Sequence, residues 1–173
     1  GRRAWGFASP NSDWDVRFIY SHPLEWYLRL EEGDRTLDLG VDEQLLDFTG
    51  WELQKTLRLL ATSNASPFEW LQSPMVYHAH ADFPQQLRTL AQAYFNPKAV
   101  AYHYYGLAIN SLKRGMKNGQ MDLKKYFYVL RPLLALRWIV TQQTPPPMEL
   151  APLLDALKGE PEVYRAIHRL VRN

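Results

Sequence analysis

The feature that most constrains the fold is a change of hydrophobic period near Trp51. Before it, short stretches rich in β-branched and aromatic residues alternate with turn signals. After it, apolar residues recur every three or four positions almost to the end of the chain. A chain patterned in this way folds as a small sheet-containing unit followed by a helical one, an α+β architecture. The pattern sets the units at residues 1–72 and 73–173, with no internal repeat and no low-complexity linker between them.

Within the first unit, Val16 to Tyr20 reads as a strand buried on both faces, and Trp26 to Leu30 as a second. Glu32-Gly33-Asp34 is a turn signal, after which Arg35 to Leu39 returns antiparallel to the preceding strand as a hairpin. A further short strand is expected from Gln44 to Phe48. The first helix starts near Thr49, with Leu53, Leu57 and Leu60 on one face and Glu52, Lys55 and Arg58 on the other. Ser66 is the expected cap of a short helix through Trp70 and Leu71. Helical spacing then runs over Pro84 to Tyr94, Lys98 to Arg114 and Leu123 to Val140. Pro132 lacks the amide proton that the helix interior needs, so a kink or split is expected there. Pro145-Pro146-Pro147 ends that helix, and two short helices follow, Met148 to Leu157 and Glu162 to Arg172.

Composition narrows the classes of function. A chain of 173 residues with 46% hydrophobic and 22% charged residues and a formal charge of +2 is globular, neither a disordered tail nor a polycation coating nucleic acid. The absence of Cys excludes disulfide scaffolds, thiolate metal sites and Cys nucleophiles, and favours a reducing compartment, the cytoplasm. No stretch approaches the ~18 apolar residues of a membrane-spanning helix. The start at Gly1 reads as truncated rather than as a processed signal. Aromatic residues are dense, with six Trp, ten Tyr and seven Phe, which suits pockets and rims.

The chemistry concentrates in the first seventeen residues. Asp13 and Asp15 lead directly into a strand, and because side chains alternate across a strand both project from one face. Like charges held so close need a cation. Hard oxygen ligands with open positions suit Mg²⁺, which takes its remaining ligands from water and from substrate phosphates such as those of a nucleoside triphosphate. The bland reading of Asp-X-Asp is a turn in which Ser12 and Asp13 cap backbone groups. Upstream, Gly1 and Gly6 with Ala4 and Ala8 allow the backbone close to a phosphate.

Gly1 to Gly6 followed by Ser12-Asp13-Trp14-Asp15 resembles the signature of the DNA polymerase beta nucleotidyltransferase superfamily. More closely, Trp5-Gly6-Phe7-Ala8-Ser9-Pro10, Asp15-Val16-Arg17-Phe18-Ile19-Tyr20 and Gly50-Trp51 resemble the predicted nucleotidyltransferases associated with RNA repair and RNA ligase. Glu69 to Pro74 and Tyr126 to Pro132 extend the likeness over most of the chain. The resemblance implies a polymerase-beta-like palm, a mixed sheet, followed by an all-helical substrate-binding domain. It implies transfer of a nucleoside monophosphate from a triphosphate such as ATP to an acceptor hydroxyl, with Mg²⁺ or Mn²⁺. Asp13, Asp15 and a third carboxylate, Asp47, with Asp38 as the fallback, would be catalytic and metal-binding. Gly1, Arg2, Arg3 and Ser12 would line the triphosphate. Implied partners are an RNA or DNA acceptor and RNA-ligase pathway proteins. The family's Gly-Ser reads Gly1-Arg2 here, and the palm is expected to lack its N-terminal strand and helix. A binding module without catalysis, or a protein-adenylylating, antitoxin-type transferase, are the alternatives.

Cations along the last long helix, Lys124, Lys125, Arg131 and Arg137, are further candidates for the nucleotide, Lys125 and Arg131 foremost; Arg137 has an intramolecular salt bridge as its competing role. Lys113 to Gly119 reads as a basic loop, solvated or in contact with a nucleic-acid backbone, with Tyr102, Tyr104 and Tyr105 able to stack on a base if they lie outside the core. His78-Ala79-His80-Ala81-Asp82 has alternating ligand types that suit Zn²⁺, but a surface connector is the simpler reading. There is no Gly-X-Ser-X-Gly elbow, no Walker loop and no His-Glu-X-X-His helix.

Overall fold

The computed structural model describes Trp5, residues 14–116 and residues 119–172. Three strands form one mixed sheet in the order β1-β3-β2, where β1 is Trp14–Tyr20, β2 is Thr36–Val41 and β3 is Leu46–Glu52. The central strand β3 runs parallel to β1 and antiparallel to β2. Helices α1 (Leu24–Tyr27), α2 (Leu53–Ala61), α3 (Ala65–Leu71), α4 (Phe83–Tyr94), α5 (Pro97–Gly115), α6 (Leu123–Gln142), α7 (Leu150–Asp155) and α8 (Pro161–Arg172) complete the described chain, which is α+β as expected.

Four expectations about the sheet unit are corrected. Trp26 to Leu30 is not a strand: Pro23 precedes a single helical turn, α1, whose aromatic rings are committed to packing. Trp26 stacks on His22 with centroids 4.2 Å apart, and the Tyr27 hydroxyl donates to Glu52 Oε1 at 2.6 Å. With that segment helical, no hairpin forms there, and β2 pairs with β3 instead. The first helix does not begin near Thr49, because Thr49, Gly50 and Trp51 are held in the ladder from both sides. Gly50 is required at this point: a Cβ would lie 2.3 Å from the Phe18 ring. Strand β1 is half-buried, not buried on both faces.

The strand-to-helix junction is made by one residue. Glu52 ends β3 and caps α2, its carboxylate accepting from Gln54 N at 2.8 Å and Lys55 N at 3.2 Å. Its side chain is fully buried, with the Arg35 guanidinium 3.6 Å away. Burial alone pushes this carboxyl up, but the hydrogen bonds from Tyr27, Gln54 and Lys55, with Arg35 beside them, outweigh it and leave the pKa below the ordinary value. Downstream, Asn64 and not Ser66 caps α3. Helix α6 passes through Pro132 without splitting and ends at Gln143 in the left-handed region, ahead of the three prolines.

The core falls into three apolar clusters. Leu60, Phe68, Leu87 and Ala91 join α2, α3 and α4 to Ile19 of the sheet, so a helix beyond residue 72 shares the core under the sheet. Val100, Tyr104, Ala135 and Ile139 tie α5 to α6. Leu130, Leu134, Leu153 and Ile167 tie α6 to α7 and α8. No helix among the described residues is long and apolar enough to cross a membrane.

Candidate active site

The parallel register of β1 and β3 places Asp15 directly opposite Asp47, and the side chains of paired residues share a face of the sheet. Two carboxylates are thus brought together from segments thirty-two positions apart in the sequence. Arg17, two residues after Asp15 and therefore on the same face, reaches back between them. Its Nη2 lies 3.0 Å from Asp15 Oδ1 and 2.7 Å from Asp47 Oδ2. Its Nη1 donates to the Asp47 and Val16 carbonyls at 2.8 and 3.1 Å. All three side chains are about three-quarters buried, at 25%, 25% and 21% exposure for Arg17, Asp15 and Asp47. Charge-assisted bonds of this kind, partly shielded from water, hold carboxylates more firmly than surface pairs do.

The site therefore concentrates negative charge on hard oxygen donors, and a cation already lies between them. That donor set suits Mg²⁺ or Mn²⁺. Among the described residues no group of three or more His, Asp or Glu side chains is arranged to hold a metal. Asp13, Gly1, Arg2, Arg3 and Ser12 lie outside the described residues. Asp38, the fallback for the third carboxylate, faces Thr49 across the β2–β3 ladder, and its Oδ1 accepts from Gly40 N in a local turn.

The candidate cations Lys125, Arg131 and Arg137 each have a partner of their own, and the Lys124 side chain lies outside the described residues. Lys125 is half-exposed in the first turn of α6 and pairs with Asp122 at 3.5 Å. Arg131 is 1% exposed, and its guanidinium meets Glu69 Oε1 at 2.8 Å and the Met148 carbonyl at 3.0 and 3.3 Å. The Trp5 ring covers it, 4.7 Å from the guanidinium carbon. Arg137 forms its intramolecular bridge with Glu160. Lys113 and Arg114 belong to the last turn of α5 and not to a loop; Lys117 and Asn118 lie outside the described residues. Tyr102 and Tyr105 are exposed, whereas Tyr104 is core and donates its hydroxyl to Glu69 at 2.6 Å. Burial, with Glu69 beside it, raises the Tyr104 pKa well above the ordinary value. His78 to Asp82 form an exposed connector.

Sequence reasoning passed over Arg17. The signal was present, because the alternation that pairs Asp13 with Asp15 extends to position 17.

The RNA repair pathway DNA polymerase beta family matches over residues 1–173. The chain is 43% identical over 171 residues to the Bacillus subtilis (strain 168) protein YcgL, described as uncharacterized, covering 99% of this chain and 65% of that protein. No solved structure matches. The carboxylate pair across β1 and β3 thus lies in a chain that belongs to the RNA repair pathway DNA polymerase beta family.

Proposed function

We propose that this chain is the nucleotide-transferring part of a metal-dependent nucleotidyltransferase of RNA repair, moving a nucleoside monophosphate from a triphosphate to an acceptor hydroxyl. The observation that carries the proposal is the convergence of Asp15 and Asp47 on a single cation at one face of the sheet. Family membership supports the reaction class.

In the proposed reaction the acceptor oxygen forms a bond to the α-phosphorus while the bond to pyrophosphate breaks, and the hydroxyl proton is lost. Divalent metal ions held by Asp13, Asp15 and Asp47 would neutralise charge on the transferring phosphate and the two oxygens in line with it. Asp15 and Asp47 supply negative charge at fixed positions, because the ladder and Arg17 set their backbone and side chains. Gly1, Arg2, Arg3 and Ser12 are the proposed triphosphate contacts; Lys125 and Arg131, committed to Asp122 and Glu69, are not assigned to the triphosphate. The acceptor is proposed as an RNA or DNA end, in company with RNA-ligase pathway proteins in the cytoplasm, with residues 1–72 as the palm and 73–173 as the substrate-binding part.

The test is transfer of label from each α-labelled ribonucleoside triphosphate to RNA and DNA oligonucleotides with Mg²⁺ or Mn²⁺. Asp15→Asn and Asp47→Asn, checked for folding, are each expected to reduce transfer at least a hundredfold. Transfer unaffected by both substitutions would remove the carboxylate pair from the chemistry. Metal-dependent triphosphate binding without transfer would favour a binding module.

A further inference from the structure

The two longest helices carry charge of one sign. Helices α5 and α6, of 19 and 20 residues, contain seven Lys and Arg residues and no Asp or Glu, in a chain whose 20 cations and 18 acids nearly balance. The acid that α5 does meet, Glu69 of α3, lies on its buried side with Tyr104. On the outer side the ion pairs of the described residues leave Lys98 and Lys113, both exposed, without a carboxylate.

Lys98, Tyr102, Tyr105, Ile109 and Lys113 follow one another at intervals of four, three, four and four, which sets them along one face of α5. At 1.5 Å per residue the two lysines stand about 22 Å apart along the axis. Between them Tyr102 is 67% and Tyr105 53% exposed, and neither has a ring contact or a side-chain hydrogen bond among the described residues. Their Cβ atoms, three positions apart in a helix, are about 5–6 Å from each other. Tyr104 shows the contrast: it is 1% exposed and its hydroxyl is bound to Glu69, so two of three neighbouring tyrosines are held out of the core.

We infer that this face of α5 binds a single nucleic-acid strand, with Lys98 and Lys113 on its phosphates and Tyr102 and Tyr105 against its bases. Bases stack on exposed rings whatever their identity, while a cationic surface tracks the backbone. A duplex offers the lysines the same phosphates but keeps its bases stacked on one another, so the face favours a single strand. A second copy of the chain fits worse, because two such faces bring cations against cations with no acid to meet them. RNA and DNA strands share this chemistry. The inference rests on the nucleotide-transfer reading only for naming the strand as the acceptor; the contact itself involves neither Asp15 nor Asp47.

The experiment is fluorescence anisotropy of labelled oligouridylate and oligothymidylate of about twelve nucleotides, with a duplex of the same length alongside. Each is titrated with the full chain, without metal or triphosphate, at about 50 and 200 mM salt. Single strands are expected to bind about tenfold more tightly than the duplex. Tyr102→Leu and Tyr105→Leu, which keep an apolar side chain but no ring, are each expected to weaken binding about fivefold or more at unchanged circular dichroism, while Tyr102→Phe retains it. Lys98→Gln and Lys113→Gln are each expected to weaken binding several-fold and to lower the slope of log affinity against log salt by about 0.7. Arg29→Gln, at an exposed cation of the sheet unit, is the control and should leave binding unchanged. Tighter binding of RNA or of DNA assigns the sugar, and equal binding assigns the face to strands of both kinds; each supports the inference. Duplex bound as tightly as single strand, binding untouched by the leucine variants, or an equal loss in Arg29→Gln overturns it. So does absence of strand binding, including the case in which the face takes anionic lipid vesicles or, in sedimentation, a second copy. Because metal and triphosphate are absent, failure of strand binding and failure of nucleotide transfer are read independently.

Discussion

Replacing Arg17 by Met removes the positive charge between Asp15 and Asp47 while keeping much of the side chain's apolar stem. The two carboxylate oxygens each lie within 3.0 Å of the same nitrogen, so they are at most about 6 Å apart. At an effective dielectric of about 20, two unit charges at that separation repel by about 3 kcal/mol. The lost charge-assisted hydrogen bonds add to this, while rotation of the carboxylates and water entry relieve part of it, as the 21–25% exposure of these side chains allows. A net loss of about 2–4 kcal/mol is expected, between the values for surface and for fully buried pairs. In a chain of this length that corresponds to roughly 5–15 °C in Tm. Urea denaturation of wild type, Arg17→Met, Asp47→Asn and the double variant measures it. The double variant should be less destabilised than the sum of the single ones by at least about 1 kcal/mol, because the asparagine removes the repulsion that the methionine exposes. Millimolar Mg²⁺ or Mn²⁺ should raise the Tm of Arg17→Met more than that of wild type, since a divalent ion there replaces the lost charge and need not compete with it. Stability within 0.5 kcal/mol of wild type, as for an ordinary surface change, would refute the argument, as would strict additivity in the cycle.

Glu52 makes stability depend on pH in a defined direction. Its pKa is depressed in the folded chain, so its contribution is fully present above the ordinary carboxyl value of 4.5 and is lost as pH falls through the folded value. Stability curves of Glu52→Gln should therefore converge on wild type in acid and lie below it at pH 7, measured by urea melts at stepped pH. Gly50→Ala forces a methyl against the Phe18 ring and should cost about 1–3 kcal/mol in denaturant unfolding, with the strain relieved when Phe18 is also made Leu. Glu69→Gln leaves Arg131 buried beside a neutral partner; a loss of about 3–5 kcal/mol is expected in the same assay, and a change below 1 kcal/mol would show the pair to be solvated.

The sequence was most legible where one principle acted alone. Helices α4, α5, α6 and α8 follow from apolar spacing, and their ends agree with the structure to within two residues. It was least legible where the tertiary ladder overrode local preference. Gly50-Trp51-Glu52 reads as the entry to a helix, yet the two neighbours of β3 keep it extended until Glu52 turns it. Trp26 and Tyr27 have strand-forming side chains, but their rings are used around His22 and Glu52 from a helical turn.

The candidate site shows the same division. That Asp15 shares a strand face with a residue two positions away is a local fact, and the sequence carries it. That Asp47 is its partner is a fact of register, which only the fold supplies. Arg17 joins the two kinds of information: its face follows from alternation, its function from the second carboxylate that the parallel pairing brings within 2.7 Å. A carboxylate pair seen in sequence suggests a cation from outside the chain. The geometry supplies one from within, so under the proposed function a divalent ion would meet a pair already oriented and partly neutralised. Its binding would exchange one counter-charge for another rather than create order from two repelling groups. The cost of that exchange would be set by Arg17, which makes position 17, and not either aspartate, the place where the proposed metal affinity would be tuned without removing a carboxylate.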